Sequence, residues 1–494
     1  MPKGKGGGVE AMLGPDLPFL LRECAPRVTV VGDVILDGWW RGRTDRLSRE
    51  APAPVVDVFE RRHVPGGAAN TAVNLAALGA RVTLVGLAGD DEAGRLLRHL
   101  LVAAGVDVSG LVLSAELHTV TKVRVVSGEQ ILLRMDETRH STPSATLRTR
   151  FTESLASALG ESDAAVVCDY GSGLLEPVRQ ALALNRPPLL VVDAHEPGRW
   201  ADLAPDLVTP NAAEAFGLLG RPAPASGRPE VVAAAAGDLR RLTGARDVVV
   251  TLDQEGAVLL TDQGQVHRTT ARPVRDKQAA GAGDTFVAAL SLARAAGVAL
   301  PAALELAQAA ADVVVHRFGT SVCTTDDLAE YLGRSAERVL AADELVARVE
   351  AERASGRRIV LTNGCFDVLH RGHTTSLAQA ARLGDLLVVA VNSDDSVRRL
   401  KGPERPINTA ADRARVLAAL SCVDYVTVFE TDTPIPLLER LRPDVYAKGG
   451  DYSPEMLAET EVVRGYGGEV CILDYVASHS TTEVVSRIRG LPQG

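Results

Sequence analysis

The sequence predicts two α/β domains in tandem, each built on a largely parallel sheet, and three observations carry that expectation. The chain is 494 residues long, more than one hydrophobic core usually supports, so two domains is the count the length favours. Short β-branched runs alternate with longer Ala/Leu-rich helical patterns, as at 28–32, 82–87, 164–167, 189–192, 248–252 and 386–391, which is the rhythm of βα units. Between about 324 and 357 that rhythm breaks into a charged stretch rich in Ala, Glu and Arg with no strand signal, and a new strand begins at Ile359. The expected division is a disordered lead-in over 1–20, a first domain over 21–330, a helical linker over 331–355 and a second domain over 356–494.

Composition narrows the partners. Charged residues make up 23% of the chain and the formal net charge is −10, so the overall field repels nucleic acid and anionic membranes. An anionic substrate must then be held by a local site. The six cysteines, at 24, 168, 323, 365, 422 and 471, form no CxxC pair and are too sparse for a disulfide framework. Reduced thiols fit a cytoplasmic protein. Residues 1–20 contain no unbroken apolar segment of the secretory kind, and no later apolar run approaches the roughly eighteen residues a membrane span needs. Neither nucleic acid nor membrane is expected as a partner.

In the first domain, several strands are closely followed by a polar residue, as at Asp33, Asp169 and Asp193, with Asn211 after the shorter run 207–208. Ligands of open α/β sheets bind at the carboxyl ends of the strands, so these positions are site candidates. The segment 36–59, with Trp39, Trp40, several arginines and Ala51-Pro52-Ala53-Pro54, is short-patterned and partly alternating. It reads as a small β lid to which 119–133 adds a strand or a pair. Further on, Gly281-Ala282-Gly283-Asp284-Thr285 precedes an amphipathic helix with Phe286, Ala289, Leu290 and Ala293 on one face. Glycines at a helix start let backbone N–H groups approach an anion, and the helix dipole favours negative charge there. Asp284, in the first turn, stands where a carboxylate could take the proton of a hydroxyl attacking a γ-phosphate. Taken alone, the run is equally explained by a helix cap at Asp284.

Other pieces join it in order: Gly32-Asp33 closing the first strand, Gly66-Gly67-Ala68-Ala69-Asn70 opening a helix, and Thr209-Pro210-Asn211 followed by Glu214. Together they resemble the ribokinase-like family of carbohydrate kinases over about 27–320. That resemblance implies that Asp33 binds sugar hydroxyls and that Gly66, Gly67 and Asn70 line the sugar pocket. It also implies that Asn211 and Glu214 organise Mg²⁺ and phosphate, with Glu214 as the metal candidate, that Gly281 and Gly283 cradle phosphate, and that Asp284 is the base. The lid around Trp39 would close over the sugar and exclude water. Two departures stand out: Gln278, Ala279 and Ala280 occupy the place where the family commonly has an Asp followed by hydroxyl residues, and Ala194-His195-Glu196-Pro197 follows Asp193 where Pro and a basic residue are usual.

The second domain opens with Ile359-Val360-Leu361-Thr362-Asn363-Gly364-Cys365-Phe366-Asp367-Val368-Leu369-His370-Arg371-Gly372-His373, a strand, a turn and a helix start. Histidines at i and i+3 at a helix N-terminus can both face a phosphate bound there. An imidazole donating to the α-phosphate or to departing pyrophosphate would stabilise the transition state without a covalent intermediate. A zinc site, with Cys365 as a further ligand, is the rival reading. The whole string resembles the cytidylyltransferase-like nucleotidyltransferases, a Rossmann-like α/β fold. Further support comes from Val391-Asn392-Ser393-Asp394, Leu400-Lys401-Gly402, Arg405-Pro406, Lys448-Gly449-Gly450-Asp451 and Ser480-Thr481-Thr482. The resemblance implies phosphate contacts for His370, His373, Lys401 and Arg405, and for Ser480, Thr481 and Thr482 at the start of the last helix.

A sugar-phosphate kinase joined to a nucleotidyltransferase suggests consecutive steps, and the order of the parts resembles a family of bifunctional heptose-phosphate kinases and adenylyltransferases. What this implies is ATP and Mg²⁺ as cofactors, sugar phosphates and ATP as small-molecule partners, a homodimeric assembly and an ADP-heptose product. Two alternatives stay open at this point: a kinase half that has become structural, and a different sugar or alcohol phosphate used with another nucleotide such as CTP.

Overall fold

The structure, a computed structural model, describes residues 13–473 apart from 129, 139–141, 172, 226, 272–279, 337, 370, 421 and 450–455. It divides into two compact units, Met1–Leu332 and Gly333–Gly494.

The first unit is organised by a nine-stranded sheet. In spatial order its strands are Val266–Arg268, Ala257–Leu260, Asp247–Thr251, Leu207–Val208, Leu189–Ala194, Ala164–Asp169, Arg27–Gly32, Arg81–Gly89 and Asp107–Ser114. Ala257–Leu260 pairs antiparallel with both of its neighbours and all the other pairings are parallel. Successive residues of the central strands go to opposite cores. Val28, Val30, Ala164, Val166 and Val191 pack with helices Ala68–Ala77, Ala282–Ala295 and Leu300–Val315, whereas Val31, Ala165, Val167, Leu190 and Val192 pack with Phe151, Trp200 and Phe216. Burial on both faces is why these strands read as continuous apolar runs rather than alternating ones.

The expected lid is a four-stranded sheet of its own, ordered Pro54–Gly67, Val34–Leu47, Val120–Ser127, Gln130–Glu137. Its two long strands leave the main sheet at Asp33 and re-enter it at Gly67, where Val34 pairs with Gly67. Gly67 sits at φ +58°, and a Cβ there would come 2.6 Å from the Asp33 carbonyl oxygen, so only glycine lets the returning strand close against the outgoing one.

The second unit holds a five-stranded parallel sheet, ordered Tyr425–Phe429, Leu386–Asn392, Ile359–Gly364, Val445–Gly449, Glu469–Leu473. In chain order this is 3-2-1-4-5, the doubly wound arrangement whose switch point lies beside the first strand. The stretch 331–355, expected as a helical linker, is largely helical and packed. Leu328 and Leu332 of helix Thr325–Ala336 join the first unit's core. Leu345 and Val349 of helix Ala342–Ala354, one turn apart, are fully buried against Ile359, Leu361 and Tyr446 in the second.

Candidate active sites

Neighbouring parallel strands end at the same edge, and the register brings four strand ends of the first unit together: Gly32 pairs with Cys168, Cys168 with Asp193, and Val192 with Val208. Asp33, Tyr170, Asp193 and Thr209 therefore share one rim, which helix Ala282–Ala295 completes. That helix begins at Gly281, whose φ of +85° requires glycine, and a Cβ there would fall 2.4 Å from Asn70 Nδ2. Its N-cap carries no side-chain hydrogen bond. The Asp284 carboxylate is held from elsewhere: Oδ2 accepts from Asn70 Nδ2 at 2.7 Å, and Oδ1 lies 3.4 Å from the Tyr170 hydroxyl. The Asn70 amide is oriented in turn, because its Oδ1 accepts from Asn74 Nδ2 while Asn74 Oδ1 accepts from Thr285 Oγ1 and Cys323 N–H. Asn70, expected to line a sugar pocket, thus has one of its two amide N–H donors committed to Asp284. Gly283 leaves the helix start open, with nothing within 4 Å of a built Cβ.

Asp193 is the second buried carboxylate. Its Oδ2 accepts the Tyr170 hydroxyl at 2.7 Å and its Oδ1 the Thr209 hydroxyl at 3.0 Å. Burial drives both acids up. Asp284 is pushed to about 7, its hydrogen bond from Asn70 opposing and the nearby charges of Asp193 and Asp37 reinforcing the rise. Asp193 is pushed to about 6 against the hydrogen bonds of Tyr170 and Thr209. A carboxylate near neutrality is matched to general-base work at physiological pH.

Around this pair stand the other expected residues. Asp33 Oδ2 accepts the Tyr170 backbone N–H at 2.7 Å. A Cβ on Gly66 would press 2.7 Å from Asp37 Oδ2, so that glycine admits the lid carboxylate. Asn211 and Glu214 form a reciprocal capping box on helix Ala212–Leu218, at 3.0 and 2.8 Å. The second oxygen of Glu214 pairs with His195 Nδ1 at 2.8 Å, and that hydrogen bond raises the imidazole's pKa. A cavity of about 710 Å³ opens beside them, lined among others by His195, Arg199, Asn211 and Glu214. Both Glu214 oxygens already accept hydrogen bonds, which suits a cation that keeps its waters, as Mg²⁺ does, better than one stripped of them.

Sequence reasoning missed the lid's contribution. Asp37 is buried against Arg124 at 3.0 Å, Arg124 lies over the Trp39 ring, and Trp39 Nε1 donates to Thr320 Oγ1 at 3.3 Å. Only strand alternation around Trp39 hinted at which lid residues face inward. Gln278 and Ala279 lie outside the described residues.

In the second unit, Asn363 at the end of the first strand accepts from Tyr446 Oη at 2.7 Å and Lys448 Nζ at 2.8 Å. Burial holds the Lys448 amine below its ordinary range. Asp367 is fully buried. Burial alone would raise its carboxyl, but the Asn408 backbone N–H, the Arg405 guanidinium and the Ile407 N–H hold it below the usual range. Arg405, assigned to phosphate from the sequence, is thereby engaged with Asp367. His373 lies on helix Arg371–Ala381 with its ring 5.3 Å from that of Phe366, which sits at φ +46° in the turn. Lys401 ends helix Asp394–Lys401 and is exposed. His370, Ser480, Thr481 and Thr482 lie outside the described residues. Among the described residues no three His, Cys, Asp or Glu side chains gather as a metal site would need, and Cys365 Sγ contacts Asn392 Oδ1 at 3.8 Å.

Comparison with known proteins covers both units. Residues 25–327 match the pfkB family carbohydrate kinases and residues 361–486 the cytidylyltransferase-like family. The bifunctional protein HldE of Alcanivorax borkumensis is 42% identical over 494 residues, covering 97% of this chain and 99% of that protein. That of Azotobacter vinelandii is 42% identical, covering 94% and 98%, and that of Gluconobacter oxydans 40%, covering 94% and 98%. Among solved structures, phosphofructokinase-2 from Escherichia coli in complex with substrates and products superposes with a TM-score of 0.52 at 20% identity, over 62% of this chain and 98% of that one. Its tetrameric inhibited form gives 0.51 at 21%, over 63% and 100%. At that identity the likeness concerns the fold alone.

Proposed function

The chain belongs to the bifunctional HldE family, a pfkB-type carbohydrate kinase joined to a cytidylyltransferase-like nucleotidyltransferase, and on that premise we propose the two reactions it catalyses. The first domain transfers the γ-phosphoryl group of ATP to the anomeric hydroxyl of heptose 7-phosphate. The second transfers the adenylyl group of another ATP to heptose 1-phosphate, releasing pyrophosphate and forming ADP-heptose for lipopolysaccharide core or a related glycan. The kinase product carries two phosphates and the second acceptor one, so a dephosphorylation by another enzyme falls between the steps.

The observation that carries the first reaction is the Asp284 carboxylate, held by Asn70 at the mouth of a glycine-started helix and raised toward neutrality. As the sugar oxygen forms its bond to the γ-phosphorus and the bond to ADP breaks, the hydroxyl proton passes to Asp284. Backbone N–H groups at Gly281 and Gly283 face the charge developing on the transferred group. Asp33, Gly66, Gly67 and Asn70 bound the sugar's side of the pocket. Mg²⁺, when bound, supplies charge neutralisation on the phosphates, and Asn211 and Glu214 are the residues that would hold its hydration shell.

In the second domain, His370 and His373 donate to the α-phosphate and the departing pyrophosphate while an oxygen of the sugar 1-phosphate attacks the α-phosphorus. Lys401, Arg405, Ser480, Thr481 and Thr482 hold the remaining phosphate oxygens, with no covalent enzyme intermediate. A homodimer is the assembly we assign, supported by the exposed apolar side chains of Leu47, Phe59 and Leu133 on the lid strands. Sedimentation at micromolar concentration tests it, and a monomer there would refute it. The chemical test supplies heptose 7-phosphate, ATP and Mg²⁺ and follows ADP, then supplies heptose 1-phosphate with ATP or CTP and follows pyrophosphate and nucleotide-sugar. Absence of ADP in the first incubation, or preference for CTP in the second, would overturn the assignment.

A further inference from the structure

The Tyr170 hydroxyl stands between the two buried carboxylates and has a single proton to give. It is 2.7 Å from Asp193 Oδ2 and 3.4 Å from Asp284 Oδ1, so the proton goes to Asp193. The rest of the residue is pinned: its backbone N–H donates to Asp33 at 2.7 Å, its ring lies 5.1 Å from that of His195, and a Cβ on Gly67 would reach within 3.3 Å of it. Asp193 is pinned as well, since Thr209 donates to its other oxygen. The consequence falls on Asp284. Its Oδ2 is taken by Asn70, and Oδ1 is the oxygen left to accept a proton, provided that the tyrosine does not donate there.

We propose that Asp193 is a positioning residue of the phosphoryl-transfer step: it draws the Tyr170 hydroxyl toward itself and so keeps Asp284 Oδ1 open as the proton acceptor. A donor redirected onto an ionised carboxylate stabilises the charged form, lowers its basicity and occupies the lone pair that the sugar hydroxyl must reach. Burial holds the Tyr170 phenol well above its ordinary range, so it remains a donor at any working pH. The proposal rests on Asp284 being the base. Other charged or titratable groups facing this pair are Asp33 and Cys168 at the strand ends, Asp37 and Lys122 from the lid, and His195 and Glu214 on the phosphate side. They are common to all the variants compared below.

The discriminating experiment is a double-mutant cycle read through the pH profile of ADP formation by the full-length protein. Asp193→Asn removes a negative charge and, with its carbonyl oxygen held by the Thr209 hydroxyl, presents its amide N–H to Tyr170, which sends the Tyr170 proton to Asp284. The acid limb of the profile is expected to move down by about one pH unit or more and the plateau rate to fall about tenfold. Tyr170→Phe alone is expected to leave the acid limb nearly in place. Added to Asp193→Asn, Tyr170→Phe is expected to move the limb back up and recover part of the plateau, because no hydroxyl remains to be redirected. If Tyr170→Phe produces the same change in both backgrounds, the charge of Asp193 accounts for everything and the proposal fails. Asp284→Asn separates this from the underlying assignment: ADP formation surviving in that variant would remove Asp284 as base. Its loss, together with additive behaviour of the pair, would remove only the steering. Circular dichroism and the first domain's thermal unfolding report folding in every variant.

Discussion

Replacing Asn70 with alanine is expected to shift the kinase's pH dependence upward by an amount the structure lets one estimate. The Asn70 amide donates to Asp284 Oδ2 at 2.7 Å from a position only 2% exposed, so the bond stabilises the ionised base with little solvent screening. Hydrogen bonds to charged groups are worth about 1.5–3 kcal/mol, and one pH unit corresponds to about 1.4 kcal/mol. Loss of the amide then raises the acid limb by about one to two pH units from a starting point of about 7. At neutral pH the ionised fraction would fall from roughly half to between about one and ten per cent, with most of the rate recovered near pH 9. The pH dependence of kcat/KM for ADP formation from pH 6 to about 9.5, which reports the groups of the free enzyme, measures this. Circular dichroism and the first domain's thermal unfolding serve as the control for folding. An acid limb that stays put or moves down in a folded Asn70→Ala protein would refute the reasoning, since it would mean that the amide does not favour the charged form.

Other outcomes follow from the same geometry. Asp284→Asn is expected to abolish ADP formation in the kinase assay while leaving pyrophosphate release intact, and His373→Ala the converse; loss of both activities in either folded variant would contradict separate sites. Asp284 also makes stability depend on pH. Its folded pKa lies above the unfolded value, so the native state holds the extra proton between about pH 4 and about 7, and the destabilisation, absent at pH 4, is fully present above about 7. Asp284→Asn should therefore raise the first domain's Tm at pH 8 and leave it unchanged at pH 4, as read by calorimetry. In the second domain, Asp367→Ala strands the Arg405 guanidinium and the N–H groups of Ile407 and Asn408 around a fully buried position. A loss of about 3–5 kcal/mol in denaturant unfolding of that domain is expected, together with loss of pyrophosphate release.

The parts of the fold that were legible in the sequence are those where one local rule acts alone. Strands buried on both faces announce themselves as valine runs, and their last residues mark the rim, which is how Asp33, Asn211 and the glycines near 281 came into view. Tyr170 did not, because a tyrosine one residue past a strand carries no pattern; its importance comes from the register that sets Cys168 opposite Asp193. Asp37 and Arg124 were equally hidden, meeting only because Val34–Leu47 and Val120–Ser127 pair in parallel across 87 residues of chain. Asn70 was singled out for its place after two glycines, yet its amide serves Asp284 through a contact 214 residues away. The stretch 331–355 reads as a helical linker because charge masks its apolar stripe: Leu345 and Val349, spaced one turn apart, are buried within an otherwise Glu- and Arg-rich helix.

The rim proposed as the kinase site brings Asp33, Asp37, Asp193, Asp284 and Glu214 near one another, an arrangement that would repel a doubly anionic substrate if all of them stood ionised and unpaired. Asp37 is neutralised by Arg124 and Glu214 is paired with His195. Asp33 is satisfied in part by the Tyr170 backbone N–H. Asp193 and Asp284 are the two that burial raises, to about 6 and about 7. Burial thus favours the protonated form of both, most strongly at Asp284, and a cation bound beside them would favour the ionised form. The lid strands start and end at Asp33 and Gly67, on the same rim as these carboxylates, so exclusion of water and the setting of the base are governed from one edge of the sheet.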